Sequence, residues 1–194
     1  MSHARTGNAT HFSHAGFAHP ARNVAALGVQ PGMKVADFGS GSGAYVLAIA
    51  KELQGSGHVY AIDIQKDLLR RTKNDTEKLG FKNVEIIWGD LEVPSGSKIA
   101  DNALELVVIS NLLFQIDDKR AVMEEARRIV RQNGRLAVID WKESLRNMGP
   151  HKDSVVHKED VFTLARSLEL TFVKEFEAGA HHYGLIFRKN KTNA

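Results

Sequence analysis

The chain has 194 residues, 43% of them hydrophobic and 25% charged, with a formal net charge of +3 and no cysteine. Its length suits one domain with a sizeable core, and the missing cysteines exclude disulfides, thiolate metal sites and a cysteine nucleophile. Lys and Arg are scattered, with only small pairs at Arg70-Arg71 and Arg127-Arg128, so the mild positive charge reads as a solvated surface and not as a nucleic-acid face.

Residues 1–19 are polar, His-rich and aperiodic, and are expected to form a flexible leader or a lid ahead of one domain over 20–194. This start lacks the apolar core of a secretory signal, and no stretch approaches the roughly 20 apolar residues of a membrane span. The expected location is the cytoplasm. Pro20 opens a short helix that ends near Gly28, and "VQPGMK" turns the chain. "VADF" reads as a buried strand, "AYVLAIAKEL" as a helix and "HVYAID" as a second strand. "KDLLRRTKNDTEKLG" places Leu68, Leu69, Thr72 and Leu79 near one helix face, and Gly80 stops it. "NVEIIWGD" is a third strand and "ALELVVIS" a fourth, separated by a loop through Pro94, Ser95, Gly96 and Ser97.

"DDKRAVMEEARRIVRQNG" predicts a helix capped by Asp117 or Asp118, with Val122, Ala126, Ile129 and Val130 inward and Gly134 just past its end. "RLAVIDW" is a fifth strand. Residues 142–157 form a polar loop, and "KEDVFTLARSLEL" is helical through about Leu168. "TFVKEFE" and "HHYGLIFR" flank a short turn at Ala178-Gly179-Ala180, which is a hairpin signal. Alternating strands and helices imply a parallel sheet covered on both faces. The expected fold is a three-layer α/β sandwich of about seven strands, mostly parallel, with a C-terminal antiparallel hairpin. Ligands of such sheets bind beyond the carboxyl ends of the strands, where strand order reverses.

The end of the first strand carries "VADFGSGSGAY". Gly39, Gly41 and Gly43 lie between a strand and a helix, where glycine lets a ligand approach the backbone. With Ala44 last, the spacing also fits the looser dinucleotide pattern. A Walker-type phosphate loop is excluded, because no Gly-Lys-Ser/Thr follows. Asp63, ending the second strand 24 positions after Gly39, suits the ribose hydroxyls of a dinucleotide or of any other adenosine ligand. After the third strand, Asp90 could accept from an adenine amino group with Leu91 against the ring, or be a plain turn aspartate. Asp37 discriminates. A carboxylate two residues before the loop repels a pyrophosphate, which prefers bare helix-terminal amides, and favours a cationic ligand.

At this point "VADFGSGSGAY", "AID" and "GDLEVP" resemble the first three motifs of class I S-adenosylmethionine-dependent methyltransferases, and "DNALELVVISNLLFQIDDKRAVMEEARRIVRQNGRLAVIDW" resembles their fourth strand, helix and fifth strand. The resemblance covers roughly 20–188 and is nearest in flavour to the small-molecule branch similar to ubiquinone/menaquinone-biosynthesis methyltransferases. It implies a Rossmann-like domain with S-adenosylmethionine as cofactor and a small-molecule methyl acceptor. It also implies roles: Asp37, Gly39, Ser40, Gly41 and Gly43 around the methionine part, Asp63 on the ribose, Ile64 and Leu91 about the adenine, Asp90 on its amino group, and Ser110 and Asn111 near the transferred methyl. "SNLLF" stands where amino-group methylases of adenine or glutamine carry Asn-Pro-Pro-Tyr/Phe. Arsenic and C5-cytosine methylation, which use cysteines, are disfavoured.

If a general base is needed, His151 and His157 flank the loop expected over the active face, whereas His181 and His182 read as structural. The N-terminal His3, His11, His14 and His19 match no metal-ligand spacing, and no metal site is expected. The alternatives are a methyltransferase acting on RNA or protein, a NAD-type Rossmann enzyme, and a non-catalytic module that retains the cofactor fold. The sequence carries no signal for oligomeric state.

Overall fold

The computed structural model describes residues 18–145 and 148–191. The N-terminal leader through residue 17, with His3, His11 and His14, lies outside the described residues. The elements run α1 (Pro20–Leu27), β1 (Lys34–Phe38), α2 (Ala44–Glu52), β2 (His58–Asp63), α3 (Lys66–Lys78), β3 (Val84–Trp88), β4 (Leu104–Ser110), α4 (Lys119–Ile129), β5 (Val130–Trp141), α5 (Lys158–Ser167), β6 (Leu170–Gly179) and β7 (His182–Lys189). One seven-stranded sheet has the order β3-β2-β1-β4-β5-β7-β6. Strands β1 to β5 are parallel, and β7 inserts antiparallel between β5 and β6. The α/β sandwich with a terminal hairpin is therefore as expected.

The sheet is covered on both faces, so its central strands are mostly apolar, with buried Asp37 and Asp140 near the carboxyl ends of β1 and β5. Val35, Val59, Val108 and Ile139 meet Val24, Leu27, Val46 and Ile49 of α1 and α2. On the other face Phe38, Ile62, Ile109 and Val138 meet Val122, Met123 and Ala126 of α4 and Val161 and Ala165 of α5. Pro20 starts α1, and Gly28 ends it in a left-handed conformation, φ +64°. Asp118 caps α4, accepting from the Ala121 amide at 2.9 Å.

Two boundaries differ from the sequence reading. The helix expected to run to Gly134 stops at Ile129, and Val130 already pairs with Leu104 of β4. Residues between Val130 and Arg135 bulge out of the ladder before pairing resumes at Leu106. Asn133 there has a positive φ of +61°, and a side chain at Gly134 would sit 2.8 Å from the Arg131 carbonyl oxygen, so a tight bulge within β5 replaces the helix end. The second difference is the hairpin turn. Gly179 belongs to β6 and pairs with His182, so the turn residues are Ala180 and His181. Among the described residues, no helix is long and apolar enough to cross a membrane.

Candidate active site

Strand order reverses between β1 and β4, which places a crevice at their carboxyl ends. A cavity of about 350 Å³ opens there, lined by Gly39, Gly41, Asp63, Ile64, Asp90 and Leu91, with Gln65, Leu68, Gly89, Glu92, Leu112, Gln115 and Ile116 completing the wall. Six of the residues named from sequence thus share one space, although they come from three separate loops. Asp37, Ser40, Gly43, Ser110 and Asn111 do not line it. A larger groove of about 700 Å³ runs along α4, bounded by Glu92, Asp118, Arg127, Arg128 and Lys189. Its charges are largely satisfied by one another, Arg128 by Glu125 and Asp101 and Lys189 by the carbonyls ending α4. The smaller cavity, with bared backbone and a carboxylate facing it, is the candidate site.

The three loop glycines have different causes. A side chain at Gly39 would meet Leu112 Cδ1 at 2.6 Å, and one at Gly43 would meet Thr72 at 2.7 Å. Both glycines make room for the protein's own side chains. At Gly41, with φ +51°, the nearest atom is the Gly39 carbonyl oxygen at 3.8 Å. Gly41 is therefore the position that leaves backbone bare to a ligand. The Ser40 amide donates to the Ile62 carbonyl at 3.0 Å, which ties the loop to β2. Ser40 Oγ is buried without a partner, a free hydrogen-bonding group of the kind a ligand completes.

Asp63 is 6% exposed. Its Oδ2 accepts from the Gly41 amide and its Oδ1 from the Gln65 amide, both at 2.8 Å. A carboxylate has about four lone-pair sites, so two remain for a ligand's hydroxyls. Gln65 occupies the cap position of α3, with no side-chain cap bond at that end. Asp37 is 2% exposed at the end of β1. Burial, and then the charge of Asp63, push its carboxyl up to about 8. No ion pair among the described residues involves either aspartate. Asp90 accepts from the Glu92 amide at 3.0 Å through one oxygen, and Leu91 is buried beside it. Ile64 is 56% exposed at the rim, which leaves an apolar face for a flat ring.

Ser110 ends β4 and lies against the Tyr45 hydroxyl. Asn23 donates to that hydroxyl at 2.8 Å and to the Ala178 carbonyl at 3.0 Å, which ties α1, α2 and β6 together near Asp37. Asn111 follows with φ +52°, and its carbonyl accepts from Gln115 Nε2 at 2.7 Å. The short 3-10 turn Leu113–Gln115 then carries the wall residues past the cavity. Asp140, at the end of β5, is fully buried and accepts from the Trp141 amide at 2.8 Å. The amides of Leu113 and Phe114 also face it, and burial raises its carboxyl to about 7. Asp140 therefore lies beneath the turn that carries Leu112 and Gln115, with its Oδ2 buried and unpartnered.

The histidines fall elsewhere. His151 has a side chain 80% exposed, 3.5 Å from Asp153. His157 precedes α5 and lines a small cavity with Lys142, Lys158, Glu175 and Tyr183. His182 is 1% exposed and stacks on Trp141 with ring centroids 4.2 Å apart. Both its ring nitrogens lack partners, and burial holds its pKa down to about 4, so it is neutral near pH 7. Among the described residues, no histidine lines the cavity at Gly41.

A family described as a methyltransferase domain matches residues 29–184. A demethylmenaquinone methyltransferase of Listeria welshimeri is 30% identical over 116 residues, which are 59% of this chain and 48% of that protein. An arsenite methyltransferase of Halobacterium salinarum is 27% identical over 134 residues, 69% of this chain and 32% of that protein. The chain thus spans about a third to a half of the length of these curated relatives. The crystal structure of a SAM-dependent methyltransferase from Aquifex aeolicus superimposes with a TM-score of 0.79 at 26% identity, covering 88% of this chain and 89% of that one.

Proposed function

The chain belongs to the methyltransferase-domain family, and on that premise we propose that it transfers the methyl group of S-adenosylmethionine to a small organic acceptor. The observation that carries the reading is the pair Asp37 and Asp63, two neighbouring carboxylates beside a bared glycine loop with no ion-pair partner of their own. Such a pair repels a pyrophosphate and attracts a sulfonium or ammonium cation. The residues present fit the cofactor: bare backbone at Gly41, a spare hydroxyl at Ser40, open lone pairs on Asp63 and an apolar rim at Ile64 and Leu91.

When bound, S-adenosylmethionine supplies a methyl group activated by its sulfonium. The chain's own residues hold and desolvate it. Asp63 would accept from the ribose hydroxyls while it keeps Gly41 in place. Asp90 would accept from the adenine amino group, and Ile64 and Leu91 would supply apolar contact to the ring. Asp37 would stabilise the positive end from beneath the loop, and Ser110 and Asn111, at the end of β4, would border the route of the acceptor. Displacement at a sulfonium releases a neutral thioether, so no acid is required, and alignment with water excluded supplies most of the rate. With no histidine in the cavity wall among the described residues, this reading places the weight on alignment. A cytoplasmic setting belongs to the same proposal, and the absence of cysteine fits a reducing compartment. It also weighs against the thiol-dependent chemistry of arsenic methylation.

Calorimetry decides the cofactor. Binding of S-adenosylmethionine without NAD is expected; binding of NAD alone sinks the reading. A salt-steep affinity for RNA would move the acceptor to nucleic acid. The loop assignment has its own test. A Gly41→Ala methyl group would meet nothing nearer than the Gly39 carbonyl oxygen at 3.8 Å, so the variant should fold with about 1 kcal/mol of left-handed strain. Its methyl group nevertheless enters the bared space, and cofactor affinity should fall about tenfold or more by calorimetry. An unchanged dissociation constant would remove Gly41 from the contact.

A further inference from the structure

Gly41 is held through both of its polar backbone groups. Its amide donates to Asp63 Oδ2 at 2.8 Å, and its carbonyl accepts from Thr72 Oγ1 at 3.2 Å. Thr72 lies inside α3, fully buried, and is absent from the wall of the cavity. Its methyl and hydroxyl also occupy the space that a side chain at Gly43 would need. One helix residue therefore meets the loop at two glycines.

The direction of the hydroxyl is the informative feature. A threonine within a helix commonly returns its hydrogen bond to a carbonyl three or four residues back. Thr76 does so with Lys73 at 2.8 Å, and Thr163 with Glu159 at 3.0 Å. Thr72 instead donates to a residue 31 positions away, across the gap between helix and loop. Together with Asp63 it holds Gly41 at φ +51° through hydrogen bonds made within the chain.

We propose that Thr72 is a positioning residue of the cofactor site, its hydroxyl orienting the Gly41 peptide while its methyl group serves only packing. The proposal rests on the cofactor reading above. Without the hydroxyl, the loop keeps one restraint of two at its bare position, and a ligand must order it on binding. The two functions of the side chain separate by substitution. Thr72→Val keeps the methyl contact and removes the donor; Thr72→Ser keeps the donor and removes the methyl.

The experiment measures S-adenosylhomocysteine binding by calorimetry and thermal unfolding on the same samples. Thr72→Val should bind about three- to tenfold more weakly, the loss of one hydrogen bond, with little change in Tm. Thr72→Ser should melt earlier yet bind like the wild type. Equal affinity in all three proteins overturns the proposal, as does weak binding by Ser with tight binding by Val. If Thr72→Val fails to fold, Thr72→Ala against Thr72→Ser decides, since these differ only in the hydroxyl: Ala binding as tightly as Ser overturns it. Failure of the wild type to bind S-adenosylhomocysteine brings down the cofactor reading and this proposal with it.

Discussion

Asp37→Asn is expected to make the folded chain more stable and the cofactor bind far more weakly. Asp37 is buried beside Asp63, and its carboxyl is pushed up to about 8 from its ordinary 3.8. Between those values the folded chain keeps a proton that the unfolded chain has released. The folded state binds more protons, so stability falls as pH rises through that window. Asparagine carries no such penalty. The stability advantage of Asp37→Asn should be absent below about pH 4 and grow with pH toward 8, at a slope of at most about 1.4 kcal/mol per pH unit, read from urea unfolding at a series of pH values. Binding has the opposite sign. A cation beside Asp37 favours its ionised form, so wild-type affinity for S-adenosylmethionine should climb from about pH 6 and level off above 8, with a proton released on binding. Calorimetry in buffers of different ionisation enthalpy counts that proton. The variant should lose the proton release and about 3 kcal/mol of affinity, as when one member of a buried charge pair is removed. Proton release that persists in Asp37→Asn would assign the titration to another group.

Asp63→Ala should also cost about 3 kcal/mol of cofactor affinity, roughly a hundredfold. Two losses combine. The ribose loses its charged acceptor, and the amides of Gly41 and Gln65 lose theirs. Asp63→Asn keeps one acceptor oxygen and should fall between the two proteins. A second readout follows from the coupling of the carboxylates. Asp63 helps raise the Asp37 carboxyl, so Asp63→Ala should shift the rise in affinity with pH to lower pH. Full affinity in Asp63→Ala, with an unshifted pH profile, would take Asp63 out of the site.

What the sequence disclosed, and what it hid, divides along local and non-local interactions. The β/α alternation is legible because strands covered on both faces carry apolar runs, as in residues 106–109 of β4. The end of α4 is not. Val130 is equally apolar whether it closes a helix stripe or opens a strand, and its pairing with Leu104 across a register shift decides the matter. The glycine loop, Asp63 and Asp90 stood out because loops that bare backbone have few residue choices. Leu112, Gln115 and Ile116 carry no such mark, since a wall needs only bulk in the right place. Asp140 passed as one strand residue and Thr72 as one helix residue, because their partners at Leu113 and Gly41 are distant in sequence. The Gly39–Leu112 contact was the nearest thing to a signal for the wall, and it needs three dimensions to see.

The place of β7 in the sheet bears on how the chain is made. His182 follows Trp141 by 41 positions, yet β7 is the native neighbour of β5. During synthesis at about 5–20 residues per second, the outer edge of β5 waits several seconds for its partner. The strand that emerges first, β6, belongs one place further out. An open edge is a template for wrong pairing, within the chain or with a second nascent copy. Over most of its length β6 is exposed, with Lys174, Glu175 and Glu177 along it, and such charges make it a poor occupant of the vacant edge. Charges on an edge strand disfavour wrong pairing, and Lys174, Glu175 and Glu177 are expected to offset the exposed Phe172 and Val173 and keep β6 out of the inner position until β7 has emerged.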